Sequence, residues 1–60
     1  MNREHKKSLQ KVARKVAKLE KQRIKGENVE SQIEQIWGEL NIEEMLYIDD
    51  YIISKKLLTN

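Results

Sequence analysis

The sequence has 60 residues, no cysteine and a single histidine. A chain this short forms one domain at most, and the absence of cysteine excludes disulfide bonds and thiolate metal sites. The formal charge of +2 hides an uneven distribution, because residues 1–25 hold ten of the twelve Lys and Arg but only two of the ten Asp and Glu. Such asymmetry favours electrostatic contact with a polyanion or with acidic protein surfaces, including the acidic half of this chain.

The apolar residues recur at helical rather than alternating spacing, and the chain contains no proline to interrupt them. We therefore predict an all-α fold, a small module of three helices in a single domain over residues 1–60. Because so small a core is marginally stable, and no disulfide or metal site supports it, we also expect the module to be oligomeric.

The first predicted helix covers residues 4–25 and is followed by Gly26, a residue suited to the left-handed position after a helix. Its apolar residues share one arc of the helical wheel: Leu9, Val12, Ala13, Val16, Leu19 and Ile24.

Opposite this arc, seven cations fill about 120° of the wheel with no acid among them. We call this set the lysine face: Lys7, Lys11, Arg14, Lys15, Lys18, Lys21 and Lys25. Several members are like-charge neighbours four residues apart, which weakens an isolated helix. The face is interpreted as a contact for phosphates, a contact for acidic protein surfaces, or an ordinary solvated surface.

The second predicted helix is short and covers residues 29–39. Asn28 and Ser31 are its candidate N-caps. Trp37 lies on its apolar stripe, where the expected role is a core anchor rather than a binding residue.

The third predicted helix covers residues 42–58 and has the clearest start signal in the chain. Asn41 suits the N-cap, and Glu44 stands at the third helical position, as in a capping box. Lys55 and Lys56 fall in its last turns, where positive charge complements the helix dipole.

This third helix carries more apolar residues than one small core can cover. A broad arc is expected to face the first two helices and consists of Ile42, Met45, Leu46, Ile48, Ile52, Ile53 and Leu57. Tyr47, Tyr51 and Leu58 form a second stripe, which we interpret as the interface of a homodimer or of a partner protein. The alternative is that the tyrosines are ordinary boundary residues.

Three charged residues fall within apolar arcs, namely Glu20, Arg23 and Asp49. If the third helix returns alongside the first, Asp49 comes level with residues 20–23. We therefore predict a structural ion pair between Arg23 and Asp49 that sets the register of the two helices.

Catalytic, cofactor and metal sites are not expected, because the sequence offers no nucleophile with a base, no phosphate loop and no ligand spacing. The only histidine, His5, is interpreted as a surface residue in a frayed turn. A helix-turn-helix around Gly38 is rejected, since its recognition helix would carry Glu43, Glu44, Asp49 and Asp50. A membrane span is not expected, because no apolar run is long enough to cross a bilayer. Binding to a membrane surface is disfavoured, because the apolar arc of the first helix has no Trp or Phe. A cytoplasmic location is expected.

The sequence thus favours a small regulatory or accessory protein without enzymatic activity, which self-associates and binds a partner protein through helical surfaces. The alternative is a nucleic-acid-binding protein whose lysine face contacts phosphates. Such binding would depend on charge rather than base sequence, since the first helix has no aromatic residue on which bases could stack.

Overall fold

The computed structural model describes residues 2–58, which form three helices and no strand. The helices are α1 (Arg3–Ile24), α2 (Glu30–Gly38) and α3 (Ile42–Ser54). The predicted all-α fold is confirmed.

Both ends of α1 are satisfied by local hydrogen bonds. The Asn2 side chain accepts a hydrogen bond from the His5 amide at 2.7 Å and caps the first turn. At the other end, Gly26 has a φ of 97°, and its amide and that of Glu27 donate to the carbonyls of Arg23 and Gln22. These two bonds define a Schellman motif, in which glycine holds the left-handed position as predicted.

The N-cap predictions for α2 are wrong. Val29 occupies the cap position, and no side chain bonds to the first turn, so neither Asn28 nor Ser31 acts as a cap. The Val29 side chain is instead buried against α1, which shows that packing rather than capping places the start of this helix.

The predicted capping box of α3 is confirmed. The Asn41 side chain accepts from the Glu44 amide at 2.8 Å, and the Glu44 carboxylate accepts from the Asn41 amide at 3.0 Å. The helix stops at Ser54, earlier than predicted, because Lys56 turns into the left-handed region with a φ of 53°. The Lys56 and Leu57 amides then donate to Ile53 and Ile52, forming a second Schellman motif with lysine where glycine is usual.

Helix α1 is the element against which both other helices pack. One core cluster joins α1 to α3 and consists of Leu9, Ala13, Val16, Ile48 and Ile52. A smaller cluster joins α1 to the start of α2 through Leu19, Val29 and Ile33. Ile36 and Trp37 pack against both clusters, so Trp37 has the predicted core position.

Helices α1 and α3 run in the same direction, because their contacts advance together along the chain. His5 bonds to Glu44, Gln10 to Tyr47, and Arg14 to Tyr51. The start of α3 is therefore level with the start of α1. This places Asp49 beside the first half of α1 and away from Arg23, contrary to the register predicted from the sequence.

Candidate binding surfaces

The lysine face forms a continuous basic surface along α1. Six of its seven members are exposed, and Lys21 is half-buried. Within residues 2–58, no carboxylate lies within salt-bridge distance of any of the seven. Pairing with the chain's own acids therefore does not occur among the described residues, whereas contact with phosphates, contact with an acidic surface of another protein and an ordinary solvated surface all stay open.

The two tyrosines face α1 and do not form an outward stripe. Gln10 donates a hydrogen bond to the Tyr47 hydroxyl at 3.2 Å, and Arg14 donates to the Tyr51 hydroxyl at 3.4 Å. Both rings are half-buried against the main core cluster and stack with a centroid separation of 6.4 Å. Tyr47 and Tyr51 thus support the packing of α3 on α1. Their contact with a second copy or a partner protein stays a prediction.

Leu58, the third member of the predicted interface, is exposed and lines a groove together with Lys21, Ile24 and Lys25 at the end of α1. Whether it shares an interface with the tyrosines stays a prediction.

The exposed apolar surface of α3 consists of residues that were predicted to face the first two helices. Ile42, Leu46 and Ile53 are 72%, 65% and 68% exposed. At 100° per residue these three positions fall within about 40° of one another, and they extend over about 16 Å of helix. We call them the α3 stripe. It points away from α1, since the opposite side of the helix carries Ile48 and Ile52 of the core.

Acidic side chains lie on both sides of the α3 stripe. Asp49 falls about 20° from Ile42 on the wheel and between Ile42 and Ile53 along the axis, while Asp50 and Glu43 flank one edge. All three are exposed. The stripe is therefore an apolar surface bordered by carboxylates on both sides.

The predicted ion pair between Arg23 and Asp49 is not formed. Arg23 instead pairs with Glu20, one turn earlier on the same helix, at 2.7 Å. Asp49 is exposed and has no salt-bridge partner among residues 2–58. The pairing of Glu20 with Arg23 removes the need for a carboxylate from α3.

His5 makes a contact that the sequence analysis missed. Its Nε2 lies 2.7 Å from the Oε2 of Glu44, which links the first turn of α1 to the first turn of α3. The hydrogen bond from the Asn41 amide, and after it the hydrogen bond from His5, holds the pKa of Glu44 below its ordinary value of 4.5. A histidine in the first turn of α1 was the only available signal, and sequence spacing does not reveal its partner.

Residues 2–58 include neither a cluster of metal-ligating side chains nor a helix able to cross a membrane. That part of the chain contains no group of three or more side chains able to hold a metal ion. None of its helices has the length and hydropathy required to span a bilayer.

Comparison with known proteins gives no assignment. No protein-family model matches the chain, and neither a curated protein nor a solved structure matches it.

Proposed function

We propose that this protein is a non-enzymatic binding module that holds a partner protein on the α3 stripe. The observation that supports this proposal is the alignment of Ile42, Leu46 and Ile53, each about two-thirds exposed or more, on one side of one helix. Full burial of an aliphatic side chain of this size contributes roughly 1.5 to 3 kcal/mol. An aligned set of such side chains is typical of surfaces that receive an amphipathic helix.

The size of the stripe favours a weak, reversible complex. Three aliphatic side chains alone fall short of the ~800 Å² per partner that a standard stable interface buries. A module of this kind suits a regulatory or accessory role, in which the partner binds and leaves.

The proposal is tested by titrating the isotope-labelled protein with a helical peptide that has one leucine stripe and glutamine elsewhere. We expect amide chemical-shift changes concentrated in α3, and their loss in the triple variant Ile42→Ser, Leu46→Ser, Ile53→Ser. Ile24→Ser is the matched control, because Ile24 is equally exposed but lies on α1. Shifts that persist in the triple variant, or that occur neither with this peptide nor with one carrying lysine beside the leucines, would refute the proposal.

Homo-oligomerisation, with a dimer favoured, stays a prediction. Sedimentation equilibrium of the wild type and of the triple variant tests it directly. A concentration-dependent dimer that dissociates in the triple variant would make a second copy the occupant of the stripe.

Nucleic-acid binding through the lysine face is the second candidate function. It is supported by the absence of any carboxylate of residues 2–58 within salt-bridge distance of the seven cations. The Lys7–Lys25 span is about 27 Å, enough to follow several phosphates of one strand. The acids on α3 would repel phosphates, so this candidate rests on α1 alone.

A salt titration separates the two candidates. Binding of a short DNA duplex or a short RNA through the lysine face should weaken by orders of magnitude between 50 and 200 mM salt. Lys11→Gln with Lys15→Gln should weaken it further, whereas Lys55→Gln with Lys56→Gln removes the same charge from the end of α3 and should change it much less. Equal effects of the two double variants would indicate attraction by overall charge only.

A further inference from the structure

We propose that the partner segment held by the α3 stripe is an amphipathic helix that places a Lys or Arg side chain against Asp49. This inference rests on the proposed function and adds the chemistry of the partner. It is carried by the position of one carboxylate that borders the apolar stripe and lies between its ends along the helix axis.

Asp49 cannot stay outside an interface that covers the stripe. It lies between Ile42 and Ile53 along the helix axis and within about 20° of Ile42 around it. A partner that contacts both isoleucines therefore covers Asp49 as well.

Covering an ionised carboxylate without a partner is unfavourable. Removal from water costs several kcal/mol unless an opposite charge or hydrogen-bond donors replace the lost hydration. No Lys or Arg of residues 2–58 lies within salt-bridge distance of Asp49. The partner itself must then supply the cation.

The surroundings of Asp49 strengthen the same preference. Asp50 and Glu43 are exposed along one edge of the stripe, and no Lys or Arg of residues 2–58 pairs with either. The acidic edge attracts a basic segment during encounter and disfavours acidic ones.

Charge also disfavours a second copy of this chain, and nucleic acids or anionic membranes, as occupants of the stripe. A second copy bound through the same stripe about a two-fold axis would bring Asp49 and Asp50 of one protomer close to the same residues of its partner. Like charges placed together in an interface are costly. Nucleic acids and anionic membranes carry phosphates, which these carboxylates repel.

The dimensions of the stripe define the partner further. Ile42 and Ile53 are eleven residues apart, about 16 Å, so a partner helix of about three turns spans them. Its apolar residues recur every three or four positions, and the cation stands near their centre.

Two helical peptides with the same leucine stripe test the inference, one with lysine and one with glutamine at the positions beside the leucines. At 50 mM salt we expect the lysine peptide to bind about tenfold more tightly than the glutamine peptide. Asp49→Asn with Asp50→Asn should bring the ratio close to one. Glu27→Gln with Glu34→Gln is the control, because it removes the same charge from exposed positions before and on α2 and should leave the ratio high.

The outcomes separate the inference from the proposed function. Equal affinity of both peptides, lost in the triple stripe variant, would overturn the charge preference and leave the docking surface standing. An unchanged ratio in the Asp49 and Asp50 variant would likewise overturn it. Peptide binding that is as tight to the triple variant as to the wild type would overturn both proposals. A dimer that dissociates in the triple variant would assign the stripe to a second copy.

Discussion

His5 and Glu44, 39 residues apart in the chain, are joined by a hydrogen bond of 2.7 Å between Nε2 and Oε2. The same carboxylate closes the capping box with its other oxygen. One side chain therefore satisfies the start of α3 and fixes it against the start of α1.

This arrangement predicts a pH dependence of stability. The pKa of Glu44 is lower in the folded state, so its contribution is present above pH 4.5 and is lost as the pH falls through the folded value. Urea denaturation should show a smaller free energy of unfolding as the pH falls from about 5 to about 3. In Glu44→Gln, which keeps a side-chain acceptor for the Asn41 amide, the decrease should be smaller. An identical pH profile in both proteins would contradict the assignment.

The two glycines should respond in opposite directions to alanine. Gly26 has a φ of 97°, so Gly26→Ala should lower the free energy of unfolding by about 1 to 2 kcal/mol. Gly38 is helical and has open space around it, so Gly38→Ala should raise stability by up to about 1 kcal/mol. Thermal melts of the two variants check the direction of both stability changes. Neither substitution creates a clash with another residue, because nothing lies within 4 Å of the added methyl group.

Lys56 offers a stabilising substitution. Its φ of 53° is unfavourable for a residue with a Cβ, so Lys56→Gly should raise the free energy of unfolding by roughly 0.5 to 1 kcal/mol. Lys55→Gly removes the same charge at a residue with a φ of −92° and should give no gain. Chemical denaturation distinguishes the two, and similar effects of both would indicate that charge rather than backbone conformation matters.

Two isoleucines on α3 should separate stability from binding. Ile48 is fully buried, so Ile48→Ala should cost about 2 to 5 kcal/mol, most of the stability of a domain this small. Ile53 is 68% exposed, so Ile53→Ala should change stability by less than about 0.5 kcal/mol. Ile53→Ala should nevertheless weaken the binding of the leucine-striped peptide. Strong destabilisation by Ile53→Ala would mean that the stripe is covered within the folded molecule.

Local signals in the sequence were sufficient to predict local structure. The capping box at Asn41 and the left-handed Gly26 are set by contacts between residues a few positions apart, and both are found where predicted. The end of α3 was missed because a lysine, not a glycine, takes the left-handed position. The N-cap of α2 was predicted wrongly because the burial of Val29 outweighs the capping preference of its neighbours.

The relation between helices was not predictable in the same way. A helical wheel gives the faces of α3 but not which face meets α1, since both the isoleucines and the tyrosines offer apolar area. The tyrosines meet α1 because their hydroxyls find Gln10 and Arg14 at the edge of the core, where a polar group stays satisfied. The register differs from the prediction because α3 starts level with His5, which moves Asp49 away from Arg23.

The orientation of the α3 stripe away from α1 has a consequence for stoichiometry. A ligand seated on Ile42, Leu46 and Ile53 leaves the cations of α1 uncovered, so the two surfaces do not compete for space. If both proposed surfaces bind their partners, simultaneous occupancy would produce a ternary complex, in which this small chain would join an acidic macromolecule to a basic helix.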